Sequence, residues 1–308
     1  MQVCETAKLI RENIEKVIVG KADEINLILA AMLAGGHVLL DDVPGTGKTM
    51  LAKALAKSVD CAFGRIQFTP DLLPSDLTGI NYFNPKSSEF IFRRGALFTN
   101  ILLADEINRA TPRTQSGLLE SMEERQITVD GETYKLEHPY FVIATQNPVE
   151  TQGTFPLPEA QLDRFLIKLS LGYPSKKESV DIVRQHMDSA PIEEIGSVCD
   201  ASALIKAQEA ARSVYIHPEL LSYIVELAEM TRASERVHMG VSTRGCIAMA
   251  SICRAYASID GRAFVKPDDV QYLLPYVYAH RLILRGGNAD DLLGEIVQSV
   301  KVPSENWG

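Results

Sequence analysis

The chain has 308 residues, of which 46% are hydrophobic and 23% are charged. At ~150 residues per domain, this length predicts two domains whose cores are large enough to fold without disulfides or a structural metal. The 31 Lys and Arg residues against 40 Asp and Glu residues give a formal net charge of −9. This charge excludes the basic footprint of a general nucleic-acid or anionic-membrane binder, although a local basic groove stays possible.

The cysteines and the apolar segments indicate a protein of a reducing compartment. The five cysteines are widely spaced and form no CxxC pair, so neither a disulfide framework nor a zinc site is expected. Glu5, Glu12 and Glu15 interrupt the first 20 residues, which is wrong for a secretory signal. The longest apolar stretch, 27–40, is shorter than the ~20 residues of a spanning helix and is broken by Gly35-Gly36. We therefore expect no transmembrane segment and a cytoplasmic location.

Strand-like and helix-like patterns alternate through the first 170 residues. The spacing of Ala7, Ile10 and Ile14 predicts an amphipathic first helix. Apolar runs predict buried strands at 37–41, 63–68, 101–105, 140–145 and 165–171. Strands that are apolar throughout are typical of a parallel sheet covered on both faces, so we predict a three-layer α/β domain.

Two segments interrupt this alternation, and a helical region follows it. Asp130-Gly131 lies between runs of alternating polarity and predicts a hairpin at 127–136. The stretch 71–98 is rich in Pro, Gly, Ser and Asn, which predicts an inserted loop or hairpin. We predict an α/β core at 1–175, a linker region at 176–198 and a helical domain, called the lid below, at 199–308. Helices of the lid are predicted near 200–212, 218–231, 243–259 and 267–280.

The sequence DVPGTGKT at 42–49 lies between a predicted strand and a predicted helix, the context of a phosphate-binding loop. Gly45 and Gly47 let successive backbone N–H groups face an anion, and the helix N-terminus adds its positive dipole. Lys48 is expected to reach the β and γ phosphates, and the Thr49 hydroxyl to bind Mg²⁺. Asp42 replaces the usual first glycine, which we interpret as a subtype mark. The alternative is a chance GKT at an ordinary helix start.

A second signal follows in ILLADE at 101–106, a hydrophobic strand that ends in two carboxylates. If this strand lies next to the phosphate-loop strand, its carboxyl end places Asp105 beside the metal, since ligands gather at that edge of a parallel sheet. Asp105 would hold Mg²⁺, mostly through water. Glu106 would then polarise the attacking water as a general base. The alternative is a solvated pair of turn carboxylates.

Four ordered motifs carry a resemblance to a known family: DVPGTGKT, ADEINRA (104–110), ATQNP (144–148) and LPEAQLDRF (157–165). In this order they resemble the AAA+ ATPases, and most closely the MoxR family, whose helix-two-insert clade also contains the magnesium chelatase motor. VIVGK (17–21) and TPDLLPSDLTG (69–79) extend the match over nearly the whole chain. The resemblance implies a P-loop AAA+ core, a small all-helical lid, ATP or ADP with Mg²⁺, and a ring, expected to be hexameric.

The resemblance also implies roles for residues outside the phosphate loop. Asn147 matches sensor one, and Arg164 matches the arginine finger that acts on a neighbour's nucleotide. Arg109 and Arg113 are the competing finger candidates. Arg244 matches sensor two, and its action in cis or in trans stays open, because members with the insert hold the lid displaced.

The nucleotide pocket is predicted around the phosphate loop. Its expected members are Val19, Gly20, Pro44, Gly45, Thr46, Gly47, Lys48, Thr49 and Met50. Val19 and Gly20 are candidates for the adenine side, with packing of an apolar helix end as the alternative. Gln67, at the end of a strand, could restrain Glu106 in the resting state. By the same resemblance, 71–98 corresponds to the helix-two insert and 127–136 to the presensor hairpin.

The predicted function is Mg²⁺-dependent ATP hydrolysis by a ring that drives remodelling or maturation of client proteins. MoxR-family members act with a separate protein that bears a von Willebrand factor A domain, which is therefore an expected partner. A chelatase-type motor is the nearest alternative, and a small-molecule kinase is a more distant one. A nucleic-acid motor is disfavoured, since the predicted hairpin sets only Lys135 against Asp130, Glu132 and Glu137.

Overall fold

The computed structural model describes residues 3–148, 153–188 and 190–303. The ends of the predicted core and lid, residues 1–2 and 304–308, lie outside the described residues. Within the described ranges, no helix is long and apolar enough to cross a membrane.

The strands and helices follow one another along the whole described chain. The strands are β1 (Val38–Asp41), β2 (Phe63–Gln67), β3 (Gly79–Asn84), β4 (Glu89–Arg94), β5 (Ile101–Asp105), β6 (Gln126–Val129), β7 (Glu132–Lys135), β8 (Phe141–Gln146), β9 (Ile167–Leu169), β10 (Val237–Met239) and β11 (Ile283–Leu284). The helices are α1 (Val3–Glu15), α2 (Ala22–Leu33), α3 (Lys48–Ser58), α4 (Pro74–Thr78), α5 (Pro112–Glu124), α6 (Glu159–Leu162), α7 (Lys176–Asp188), α8 (Pro191–Glu194), α9 (Ala201–Arg212), α10 (Pro218–Ala233), α11 (Thr243–Ile259), α12 (Pro267–Tyr278) and α13 (Ala289–Ser299).

The core of the molecule is a five-stranded parallel sheet in the order β2-β5-β8-β1-β9. Successive residues of β5 and β8 point to opposite faces, because side chains alternate along a strand. Ile101 and Leu103 pack in one hydrophobic cluster, while Leu102 and Ala104 pack in the other. The predicted three-layer α/β arrangement is therefore confirmed.

The carboxylate strand β5 is not the direct neighbour of the phosphate-loop strand β1, which was the condition set for placing Asp105 beside the metal. β8 lies between β1 and β5 and pairs with both. All but the last residue of β8 is buried, which suits it to a central position covered on both faces. Because β8 lies between β1 and β5, its residue Thr145 lies at the carboxyl edge of the sheet, between the phosphate loop and the carboxylate pair.

Two antiparallel hairpins extend from this sheet. The predicted hairpin at 127–136 is β6–β7, and the inserted segment 71–98 contains α4 and the hairpin β3–β4. Phe92 stacks on Tyr134 with ring centroids 4.3 Å apart, and Asn81 Nδ2 donates to Asp130 Oδ2 at 2.8 Å. The two hairpins therefore contact each other.

The C-terminal part is mainly helical and shares its core with the N-terminus. α1 and α2 pack against α9 and α11 within one hydrophobic cluster. Two elements of this part were not predicted, the short antiparallel pair β10–β11 and the helix α13. The segment predicted as a linker carries α7 and α8. Asn13 of α1 connects this segment to α3. Its Nδ2 donates to Ser58 Oγ at the end of α3 at 2.9 Å and to the carbonyl of Gly196, after α8, at 2.8 Å.

Candidate active site

The phosphate loop joins β1 to α3 and has the backbone of an anion cradle. Gly45 and Gly47 have φ angles of 87° and 88°, which glycine adopts without steric cost. A Cβ at Gly45 would meet no atom within 4 Å, so the loop faces open space. α3 begins at Lys48 directly behind Gly47, and its first N–H groups are therefore available to an anion. The Lys48 Nζ donates to the carbonyl of Asp42 at 2.9 Å and to that of Val43 at 3.3 Å.

Asp42, which replaces the usual glycine, is an anchor for this loop. Its side chain is buried, with 3% of the residue exposed. The carboxylate accepts hydrogen bonds from Ser170 Oγ at 2.7 Å, Leu171 N at 2.7 Å and Gly172 N at 3.0 Å. Its φ is not positive, so the position does not need glycine. Asp42, in place of glycine, therefore connects the phosphate loop to the residues that follow β9 through these hydrogen bonds.

The two carboxylates at the end of β5 are organised by Thr145 of β8. Thr145 Oγ1 donates to Asp105 Oδ1 at 2.7 Å and accepts from the backbone N–H of Glu106 at 2.8 Å. Asp105 Oδ2 accepts from Arg65 Nη2 at 2.8 Å. Neither Thr145 nor Arg65 was identified from the sequence. The sequence position of Thr145 could have indicated it as a site residue, because it ends the strand predicted at 140–145 and lies just before the sensor-one candidate Asn147.

The Glu106 carboxylate is held by two side chains. Glu106 Oε2 accepts from Gln67 Nε2 at 2.8 Å and pairs with Arg109 Nε at 2.8 Å. The residue has φ 55°, a left-handed conformation that is uncommon for a non-glycine residue. The contact predicted between Gln67 and Glu106 is thus present, and Arg109 adds a second one.

These residues enclose a cavity of about 450 Å³ at the carboxyl edge of the sheet. Its lining comprises Pro44, Gly45, Gly47, Lys48, Thr49, Met50, Arg65, Gln67, Asp105 and Glu106. The Thr49 hydroxyl and the Asp105 carboxylate are oxygen ligands of the kind that Mg²⁺ prefers. With the open space at Gly45, the residues present fit a magnesium-bound phosphate chain.

A second, more apolar cavity of about 160 Å³ adjoins the same loop. It is lined by Val17, Ile18, Val19, Lys21, Gly45, Thr46, Gly47, Met50, Pro174, Ile182 and His186. Val19, a candidate for the adenine side, lines this cavity. Gly20 is absent from this lining and packs so closely on Glu178 that a Cβ at Gly20 would overlap the Glu178 carboxylate. Ile182 and His186 come from α7, in the segment predicted as a linker.

Asn147 is buried immediately after β8. The last residue of that strand, Gln146, is in register with Asp41 at the end of β1. The sensor-one candidate therefore lies at the same sheet edge as the carboxylates and the phosphate loop.

Arg164 and Arg244 both bind Glu123, outside these cavities. Arg164 Nη1 bonds Glu123 Oε2 at 2.8 Å and the carbonyl of Leu119 at 3.0 Å. Arg244 Nη1 bonds the other oxygen, Glu123 Oε1, at 3.0 Å. Neither arginine lines the 450 Å³ or the 160 Å³ cavity. Arg113, the other finger candidate, is exposed at the start of α5.

The fold and the site agree with the class found by sequence comparison. Residues 37–167 match the ATPase family associated with various cellular activities (AAA), and residues 229–300 match the AAA lid domain. A parallel sheet with a phosphate loop, paired carboxylates and a helical lid thus defines an AAA+ ATPase.

Comparison with individual proteins narrows the class to one family. YeaC of Bacillus subtilis is 51% identical over 95% of this chain and 93% of its own length. Chaperone MoxR1 of Mycobacterium tuberculosis is 38% identical over 95% of this chain and 81% of its own. A crystal structure from Cytophaga hutchinsonii superposes with a TM-score of 0.91 at 35% identity, covering 98% of this chain and 96% of that one. The chain belongs to the MoxR family of AAA+ ATPases.

Proposed function

We propose that this ATPase hydrolyses ATP at sites shared between neighbouring subunits of a ring, expected to be a hexamer. The observation that carries the proposal is the separation of its functional groups. Lys48, Asp105 and Glu106 line one cavity, whereas Arg164 and Arg244 lie together on Glu123 outside it. A guanidinium stabilises the charge that develops on a γ-phosphate only within hydrogen-bonding reach. We therefore assign both arginines to the nucleotide of an adjacent subunit, which gives Arg244 a role in trans.

Within one cavity, the chain's own residues divide the remaining tasks. The backbone N–H groups of the phosphate loop and Lys48 bind the phosphate oxygens. Thr49 and Asp105 would hold Mg²⁺, which neutralises phosphate charge when bound. Glu106 accepts the proton of the attacking water, and Asn147 orients that water through its amide. The apolar cavity beside Val19 and Met50 is assigned to the adenine ring.

Single substitutions test these roles on the purified protein. Lys48→Ala should abolish nucleotide binding, and Glu106→Gln should bind ATP and retain it uncleaved.

Arg164→Ala should bind ATP normally while turnover falls by about 10³-fold, the lower end of the range for arginine fingers. Arg113→Ala is the matched variant, since Arg113 is a competing finger candidate that lies exposed at the start of α5. Loss of turnover in Arg113→Ala together with normal turnover in Arg164→Ala would assign the finger to Arg113.

We propose further that hydrolysis drives remodelling or maturation of a client protein in the cytoplasm, together with a von Willebrand factor A domain partner. The relation to a protein named as a chaperone supports a protein client. The acidic residues of the β6–β7 hairpin, Asp130 and Glu132, disfavour a nucleic-acid substrate.

ATPase assays with added components test this role. Stimulation by a von Willebrand factor A domain protein encoded in a neighbouring gene would support it. Stimulation by DNA would instead indicate a nucleic-acid motor. Metal insertion on reconstitution with chelatase partners and a tetrapyrrole would indicate a chelatase-type motor. Cell fractionation tests the cytoplasmic location.

A further inference from the structure

A buried arginine of the helical part is inserted beside the finger candidate. Arg281 follows α12 in a short 3₁₀ turn, and its side chain is 3% exposed. Its guanidinium Nε donates to Asp163 Oδ1 at 2.6 Å. Nη1 donates to the carbonyl of Leu166 at 3.2 Å and also to that of Val277 in the preceding helix α12. A charged group is buried this completely only when partners satisfy it, so the contact is a specific one.

The same guanidinium holds the backbone on both sides of Arg164. Nη2 of Arg281 donates to the carbonyl of Phe165 at 2.7 Å and to that of Asp163 at 3.3 Å. These carbonyls belong to the residues immediately before and after Arg164. Because the guanidinium is planar and its donors form a rigid fork, it fixes both carbonyls in one geometry. The backbone that carries Arg164 is therefore positioned by the helical part.

Asp163 extends the contact to the helix that carries Arg244. Its Oδ2 accepts from Ser242 Oγ at 3.4 Å and lies 3.9 Å from Arg244 Nε. Ser242 is the N-cap of α11, and its hydroxyl accepts from the backbone N–H of Gly245. The Asp163 carboxylate also lies at the positive end of the helix dipole. One carboxylate thus joins the segment of Arg164 to the start of the helix of Arg244.

We propose that Asp163 and Arg281 are positioning residues that lock Arg164 and Arg244 to the helical part as one rigid unit. The two residues act through the arginines and do not touch the nucleotide themselves. This inference rests on the proposed sharing of the site between subunits.

The first test measures turnover, nucleotide affinity and ring size for two variants. Arg281→Lys keeps the charge but cannot bridge both carbonyls, and Asp163→Asn keeps the shape but removes the charge. We expect kcat to fall by about 10²-fold in each, the effect of misplacing a catalytic group by roughly 1 Å. The Kd for ATP and the ring size should match those of the wild type, because the nucleotide cavity is untouched. Normal kcat in both variants would overturn the proposal.

Mixed rings separate positioning from a merely structural role. Each variant is mixed with Glu106→Gln, whose hydrolytic residue is lost but whose arginines are intact. We expect the mixture to regain activity, because Glu106→Gln subunits supply correctly placed arginines to their neighbours. Mixing with Arg164→Ala should restore nothing, since neither subunit then supplies a finger. A folded variant that behaves the opposite way would contradict the inference, as would failure of both variants to fold.

Two controls make the outcome specific. Arg236→Ala removes an exposed ion pair with Glu295 in the same part of the chain and should leave activity unchanged. The mixture of Arg164→Ala with Glu106→Gln is the reference for site sharing. If this reference shows no recovery, the shared site itself fails. If it recovers while Asp163→Asn and Arg281→Lys do not, only the positioning role fails.

Discussion

Glu106 is held in a specific arrangement by its backbone and two side chains. Its left-handed backbone directs the side chain to Gln67 and Arg109, while its N–H is bound to Thr145. A general base must be within hydrogen-bonding reach of the attacking water. Both donors bind Oε2 and hold the carboxylate in one orientation, so we expect these contacts to restrain hydrolysis.

Removing the amide of Gln67 should release part of this restraint. We expect Gln67→Ala to raise the basal ATPase rate several-fold with an unchanged Kd for ATP, because one hydrogen bond to a charged group contributes about 1.5–3 kcal/mol. Steady-state turnover in the absence of partners measures the effect. Gln298→Ala, on the exposed face of α13, is the control. A rate equal to or below that of the wild type would show that Gln67 does not restrain Glu106.

His37 links protonation to stability. It is buried before β1, where its Nδ1 accepts from the N–H of Val142 at 3.0 Å and its Nε2 donates to the carbonyl of Met122 at 3.0 Å. Burial lowers the pKa of His37 from 6.5 to about 4, so the folded protein keeps the ring neutral. The unfolded chain takes up this proton at higher pH, and its contribution to stability is therefore complete above pH 6.5 and lost as the pH falls toward 4.

This difference in pKa predicts an acid-sensitive stability. Between pH 7 and pH 4, the His37 contribution should fall by about 3 kcal/mol. Urea denaturation across this range should show a shallower decline for His37→Gln than for the wild type. His238→Gln, at an exposed position of β10, should follow the wild-type curve. Parallel curves for wild type and His37→Gln would disprove the assignment.

Among the elements, the phosphate loop is anchored by Asp42, the one residue that departs from the usual motif. Asp42 binds Ser170 and the backbone after β9, so the loop and the edge strand are fixed together. The familiar glycine at this position would leave the buried backbone N–H of Leu171 without its acceptor and would remove one acceptor of the Gly172 N–H, which is costly.

We therefore expect Asp42→Gly to destabilise the protein rather than to restore a better loop. The free energy of unfolding should fall by about 3 kcal/mol, given the loss of hydrogen bonds to a buried charge. Asp42→Asn, which keeps one acceptor oxygen, should lose less. Urea denaturation at constant pH measures both. Equal stability of Asp42→Gly and the wild type would contradict the anchoring role.

The sequence predicted individual strands more readily than their order. β1, β5 and β8 were recognisable because strands buried on both faces are apolar throughout. Their neighbours were not, since pairing joins residues far apart in the chain, and β8 separates the two motif strands. α13 has a recognisable sequence signal, because Leu292, Leu293 and Ile296 recur at helical spacing after Asn288 and are buried.

The phosphate loop and the carboxylate pair could be found from sequence because their residues are contiguous. Contacts between distant segments could not. Nothing near Arg281 in the sequence indicates Asp163, and Arg65 gives no sign of its bond to Asp105. Such partners depend on the tertiary fold, whereas motifs depend only on local backbone geometry.

At the scale of the whole molecule, hydrolytic residues and arginines occupy different places. The cavity beside the phosphate loop contains the carboxylates, and Glu123 gathers Arg164 and Arg244 elsewhere. A head-to-tail ring brings one face of each subunit against a different face of the next. Such an interface can bring the arginines of one subunit to the cavity of its neighbour, which makes activity a property of the assembly.

The most direct test of this claim is the ATPase rate of Arg164→Ala mixed with Glu106→Gln over a series of ratios. Each variant alone should be inactive, and random mixing in a ring should give a maximum of about a quarter of the wild-type rate at equal amounts. That recovery requires an intact Glu106 in one subunit and an intact Arg164 in the next. Mixtures that stay inactive at every ratio, or an Arg164→Ala protein that is fully active alone, would contradict the shared site.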